Sequence, residues 1–244
     1  MGRLTEAIKH LIIINVIFFI ASQLYGEQLY QWLALYFPKN ENFELWQIIT
    51  HMFMHGGLMH IAFNMYGLWA FGSPLERAWG KNKFLFFYFS AGLGSALLHI
   101  GANYYFFNDG LNALVEAGVS KSQILDTISS GRYSPDWYAI TSQSSVDSMI
   151  SAFSTPAVGA SGAVYGVLVA FAFMFPNAEL MMIFLPVPIK AKYFVPVIIL
   201  GDLFFGITNT NTGIAHFAHI GGALIGFIMM WYWKKNQFNK NRWN

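Results

Sequence analysis

Apolar residues along this chain come in long blocks, and strongly polar side chains interrupt those blocks at only a few places. A helix that crosses a bilayer needs about 20 mostly apolar residues. Six stretches approach or reach that length, near 8–25, 51–73, 84–107, 157–175, 185–206 and 214–233. The pattern predicts an all-α membrane protein with a six-helix transmembrane bundle. It reads as one domain over residues 1–244 with a core at about 40–235. Arg3 and Lys9 precede the apolar run Leu11 to Leu24 and no clear small-residue cleavage site follows it, so the run reads as a retained helix rather than a signal peptide.

Between the blocks, two segments differ in pattern. Residues 26–45 contain "EQLYQWLALYF", whose apolar residues fall at mixed helical spacing. Such a loop lies in the interface rather than across the bilayer. Residues 108–156 form a long insert between the third and fourth spans, rich in Ser, Thr and acids. Within it "LNALVEAG" and "KSQILDTI" read as helices, the second capped by Ser120 or Ser122. An insert of this length in a compact bundle is either functional or a linker.

Composition supports the membrane reading. Hydrophobic residues make up 55% of the chain and charged residues 11%, against about 25% charged in a soluble domain. Cysteine is absent, which excludes disulfides, thiolate nucleophiles and cysteine-ligated metals. A formal net charge of +2 gives no reason to expect a nucleic-acid partner. With the N-terminus inside, Arg3, Lys9, Arg77, Lys81, Lys83, Lys190, Lys192, Lys234, Lys235, Lys240 and Arg242 all fall on the inner side. Lys39, Lys121 and Arg132 fall outside. This bias follows the positive-inside rule and, with an even number of spans, makes both termini cytoplasmic in a cell (inner) membrane. The basic tail "KKNQFNKNRWN" suits an inner-leaflet anchor.

Polar groups inside a bilayer are expensive and usually mark a functional interior. Here they are His51, His55, His60 and Asn64 on the second span, His99 and Asn103 on the third, Ser161 and Tyr165 on the fourth, Asp202 on the fifth, and His216 and His219 on the sixth. On the fourth span, Gly159, Ala160 and Gly162 surround Ser161. Gly162 and Gly166 form a small-residue face for close helix packing. Taken alone, Ser161 reads more readily as a packing serine than as a nucleophile. On the sixth span His219, Gly222 and Gly226 share a face. If the two glycine faces meet, imidazole and hydroxyl meet, and an adjacent base makes a serine nucleophilic. His60 and Asn64 lie four residues apart and can both donate toward a developing oxyanion, with the Ser161 amide as a third donor. The alternative for that pair is an interhelical polar clamp.

Together these segments resemble the rhomboid family of intramembrane serine proteases. The shared motifs are HxxxN at His60–Asn64, GxSG at Gly159–Gly162 and AHxxGxxxG at Ala218–Gly226, in family order. Tyr165 matches an aromatic that stacks on the family's catalytic histidine. Trp46 resembles its Trp-Arg pair, with Gln47 in place of the arginine, and Glu76, Arg77 and Gly80 resemble its charged turn. The resemblance implies a Ser–His dyad, with Ser161 as nucleophile and His219 as general base. His60, Asn64 and the Ser161 amide would form the oxyanion hole, supported by Tyr165, Gly159, Gly162 and Gly222. It implies transmembrane protein substrates cut within the bilayer, and no metal or other cofactor. Gly222 and Gly226 favour His219 over His216 as the base, and Asp202 pairs with a polar neighbour on the sixth span or sits protonated, outside any triad.

Three other classes fit less well. A rhomboid-like, non-catalytic binder of membrane clients usually lacks the serine or the histidine. A transporter should show repeated halves, which this chain does not. For a metalloprotease, His51 and His55 have the spacing but "MFM" between them holds no base.

Overall fold

The computed structural model describes residues 3–182, 185–208 and 214–237. Lys240, Arg242 and most of the basic tail lie outside the described residues. Twelve α-helices and one short hairpin are present among them. The first apolar block forms α1, Glu6–Tyr25, and α2, Glu27–Leu33, follows directly from it. By length and composition α1 and α6, Lys81–Glu116, can each cross a membrane, and the apolar α10, Ser161–Met174, is shorter.

The second block is broken where the apolar pattern alone gives one helix over 51–73. His51–Phe53 is a 3-10 turn after the short α3, Gln47–Thr50, and α4 starts only at Leu58 and runs to Gly67. The Gly56-Gly57 pair, poor helix formers, separates them. His51 and His55 therefore precede the helix that carries His60 and Asn64. Beyond α4 the chain makes a π turn over Leu68–Gly72 and continues as α5, Ser73–Trp79. Pro74 has no N–H for the carbonyl of Ala70, and its ring crowds that carbonyl, so the turn widens.

Helix α6 also departs from expectation. It has 36 residues, about 54 Å at 1.5 Å per residue, well beyond a hydrocarbon core of about 30 Å. "LNALVE" extends this helix instead of starting a new one. The insert proper is α7 (Lys121–Ser129), α8 (Trp137–Ile140) and α9 (Gln143–Ser154). Ser120 occupies the N-cap position of α7 without a capping bond; its hydroxyl meets that of Ser122 at 2.9 Å. Phe107, Leu111 and Leu114 of α6 join Ile124, Trp137 and Met149 in a core separate from that of the bundle. Ser145 Oγ donates to Asp109 at 3.0 Å, and Asn40 Nδ2 donates to the Phe153 carbonyl at 2.9 Å. These contacts tie the insert both to α6 and to the first loop.

The fifth block begins as a strand where the apolar pattern gives a helix from 185. β1, Glu179–Met182, pairs antiparallel with β2, Leu185–Lys190, with Glu179 opposite Lys190. Pro186 and Pro188 remove two helical donors and hold that stretch extended. Helix α11 then spans Ala191–Ile207 and α12 spans His216–Gln237.

Helices α6, α10 and α12 form the centre of the bundle. A Cβ at Gly222 would overlap the carbonyl oxygen of Gly162, and one at Gly226 would sit 2.8 Å from the Gly166 Cα. The two glycine faces do meet, backbone against backbone. Around them, Leu68, Phe84, Phe87, Tyr88, Val167 and Met230 fill the main core. At one end of the bundle Arg77 Nη1 donates to the Arg3 carbonyl at 3.1 Å, and Lys81 pairs with Glu6 at 2.6 Å. The buried Glu76 accepts from the Ala7 and Ile8 amides at 2.8 and 3.1 Å and from the Thr5 hydroxyl, capping α1. Lys83 stands over the Trp233 ring at 4.2 Å at that same end.

Candidate active site

Ser161 heads α10. Its approach is held by an isolated bridge in which Leu35 and Ala157 exchange both backbone hydrogen bonds at 2.9 Å, and by Gly159 N–H donating to the His51 carbonyl at 2.9 Å. The first loop thus braces the segment that delivers the serine. That loop is itself clamped by its Trp-Gln pair. The buried Gln47 donates to the carbonyls of Gln31 and Asn42 at 3.0 and 2.8 Å and accepts from the Tyr36 amide at 3.2 Å. Trp46 Nε1 donates to the Trp32 carbonyl at 2.8 Å.

The close crossing of α10 and α12 brings His219 to the serine. His219 Nε2 lies 2.8 Å from Ser161 Oγ. The Tyr165 ring stacks on the imidazole, with centroids 4.2 Å apart and planes 13° from parallel. On the other side of the ring, His219 Nδ1 lies 3.2 Å from Asp202 Oδ1. A carboxylate can only accept, so this contact places the proton on Nδ1 and leaves the Nε2 lone pair for the serine hydroxyl. His216 Nδ1 lies 2.5 Å from the same carboxylate oxygen. His216 faces Asp202, whereas His219 bridges Asp202 and Ser161.

His60 completes the pocket from α4. The Gly56 amide donates to His60 Nδ1 at 3.3 Å, so in the neutral ring Nε2 carries the proton and points a donor inward. Gly159 makes the room. A Cβ there would lie 2.7 Å from His60 Nε2 and 3.5 Å from Ser161 Oγ, which places both groups around one small space. Gly159 also has φ +126°, a conformation that side chains rarely adopt. Gly159→Ala is therefore expected to displace His60 or Ser161 and to strain the turn, and a lowered thermal midpoint of the purified variant checks it.

Asn64 is buried on α4, and its Nδ2 donates to the His60 carbonyl at 3.0 Å. One of its two amide protons is engaged there, and among the described residues the second meets no protein acceptor. The first amides of α10, Ser161's among them, have no acceptor within their own helix. Ser161, His219, Tyr165, His60 and Gly159 thus surround one site, with Gly162 and Gly222 forming the crossing behind it. The remaining polar residues do other work. His51 Nδ1 bonds the Gln47 carbonyl at 2.8 Å. His55 stands edge-on to His60 with centroids 5.1 Å apart. Asn103 Nδ2 and His99 Nε2 are 3.2 Å apart on α6.

A family model described as Rhomboid domain matches residues 42–123 and 136–236. The unmatched stretch between the two segments falls in α7 and the turn after it, inside the insert.

Proposed function

The chain belongs to the rhomboid family, a family of membrane proteins, and on that premise we propose that it is an intramembrane serine endopeptidase acting on transmembrane segments of other proteins. The observation that carries this reading is the 2.8 Å contact between His219 Nε2 and Ser161 Oγ, with the imidazole held in the accepting tautomer. In the proposed reaction Ser161 Oγ attacks the scissile carbonyl carbon while its proton passes to His219 Nε2. The carbonyl oxygen becomes an oxyanion facing His60 Nε2–H, the Ser161 amide and the free amide proton of Asn64. Collapse breaks the C–N bond, and His219 returns the proton to the leaving amine. Water then hydrolyses the acyl-enzyme by the same sequence. No cofactor enters any step.

The proposed architecture is six spans in one domain over residues 1–244, with both termini cytoplasmic in the cell membrane. The spans are α1, the α4–α5 pair, the inner part of α6, α10, α11 and α12. Supporting this sidedness is the clustering of Arg3, Arg77, Lys81 and Lys83 at one end of the bundle, as inner-side basic residues should. Gly162, beside Ser161, packs on Ser95 of α6, and the insert packs on α6 from Phe107 onward, both away from the Lys81 end of that helix.

The test is cleavage of a transmembrane segment with a helix-destabilised stretch, reconstituted in vesicles with the purified protein. Wild type is expected to cut it, and intact substrate after prolonged incubation would favour a client-binding role instead. In the same assay Asn64→Ala is expected to lower kcat by about 10- to 100-fold with little change in KM, because its donor acts on the transition state. An equal loss in substrate affinity alone would remove Asn64 from the oxyanion site.

A further inference from the structure

The proteolytic scheme leaves the buried carboxylate beside His219 unused. Asp202 lies on α11 with 7% of its surface exposed, and it is the only acid on that helix. Its Oδ1 receives His216 Nδ1 at 2.5 Å and His219 Nδ1 at 3.2 Å. We infer that Asp202 is a positioning residue for His219, so that Ser161, His219 and Asp202 act as a set of three rather than two. The inference rests on the proteolytic reading above.

The other contacts leave the tautomer and flip of the His219 ring undetermined. A neutral imidazole has two tautomers, and only the one protonated at Nδ1 offers a lone pair to Ser161. The stacked Tyr165 fixes the plane of the ring, but a π face is indifferent to which nitrogen carries the proton. It is also indifferent to a half-turn of the ring about the Cβ–Cγ bond, which returns it to the same plane with nitrogens and carbons exchanged. The carboxylate distinguishes both, because it accepts and never donates. When His219 takes the serine proton, an imidazolium forms in a site largely withdrawn from water. An unpaired charge there is costly, and an adjacent anion offsets that cost. His216 has a different part in this arrangement: its Nδ1 meets the same oxygen at 2.5 Å, a second contact that holds the carboxylate where His219 reaches it.

The experiment uses the full chain, purified in detergent, with cleavage kinetics, labelling by a fluorophosphonate and thermal midpoints measured for each variant. Asp202→Asn keeps the shape and removes the charge. Its kcat is expected to fall about 100-fold, the lower range of an acid–base contribution, with KM within about twofold and labelling slowed by a similar factor. Asp202→Glu restores the carboxylate and is expected to regain at least about tenfold over Asn. A merely structural role predicts the reverse: a lowered midpoint, a raised KM, and a Glu variant no better than Asn. That pattern, or a kcat for Asn within about twofold of wild type, overturns the inference. If the Asn variant does not fold, Glu is compared with Gln at the same position, and equal kcat values overturn it. These outcomes leave the protease assignment standing. A wild type indistinguishable from Ser161→Ala in both cleavage and labelling overturns that assignment and this inference together.

Discussion

Ser161→Ala and His219→Ala are each expected to abolish cleavage, with losses of about 10,000-fold or more and an intact fold. Each group reaches the other across the α10–α12 crossing at 2.8 Å. Removal of the serine leaves no atom to attack, and removal of the imidazole leaves a hydroxyl with no acceptor for its proton. Neither side chain fills the apolar core, so thermal midpoints should move by only a few degrees. Because the two act as a unit, the double variant should be no worse than either single one. A double variant whose loss equals the product of two partial losses would show that the residues work independently, and the coupled site would have to be abandoned.

The second large effect is expected from Gly222→Val. Overpacking a core usually costs about 1–3 kcal/mol because side chains can shift. Here the obstacle is the carbonyl of Gly162, which belongs to the backbone of α10 and cannot rotate away. Gly166 and Gly226 repeat the close contact one turn further on, so the whole crossing must open. A loss of about 3 kcal/mol or more is expected, together with most of the activity, since displacement of α12 carries His219 away from Ser161. Even a change of about 1 Å in catalytic geometry can cost 100-fold. Denaturation in detergent and cleavage by the same preparation check both parts. Wild-type activity in the Gly222→Val protein would show that the reactive pair does not depend on this crossing.

Much of the site is legible in the sequence because it rests on side chains whose cost in a bilayer demands a reason. Ser161, His219 and His60 stand out as polar groups in apolar blocks, and the glycines one and two turns from them announce which faces touch. The helix boundaries are less legible, and for local reasons. Apolar content does not register that Gly56-Gly57 delays α4, that Pro74 widens a turn, or that Pro186 and Pro188 hold a strand inside an apolar block. The extension of α6 through Glu116 is hidden because its outer turns are polar on one side, as helices outside a membrane are. Asp202 is visible in the sequence as an anomaly with a sixth-span polar neighbour as one of two readings, but which histidine it meets, and at which nitrogen, is not. It stands 17 positions before His219 on a different helix, and no periodicity links the two; only the packing of α11 against α12 brings them together. Gln47 reads as a substitute for arginine in holding the first loop, and its hydrogen bonds to Gln31, Asn42 and Tyr36 give that substitution its physical account.

The most direct measurement is labelling of the purified, detergent-solubilised protein by a fluorophosphonate probe, with Ser161→Ala and His219→Ala alongside. An activated serine attacks phosphorus and retains the label, whereas an ordinary hydroxyl does not react. The expected result is a labelled wild type, no label on either variant, and the modification mapped to Ser161. A well-folded wild type that takes no label, or takes it equally with Ser161→Ala, would contradict the assignment of an activated serine at the head of α10.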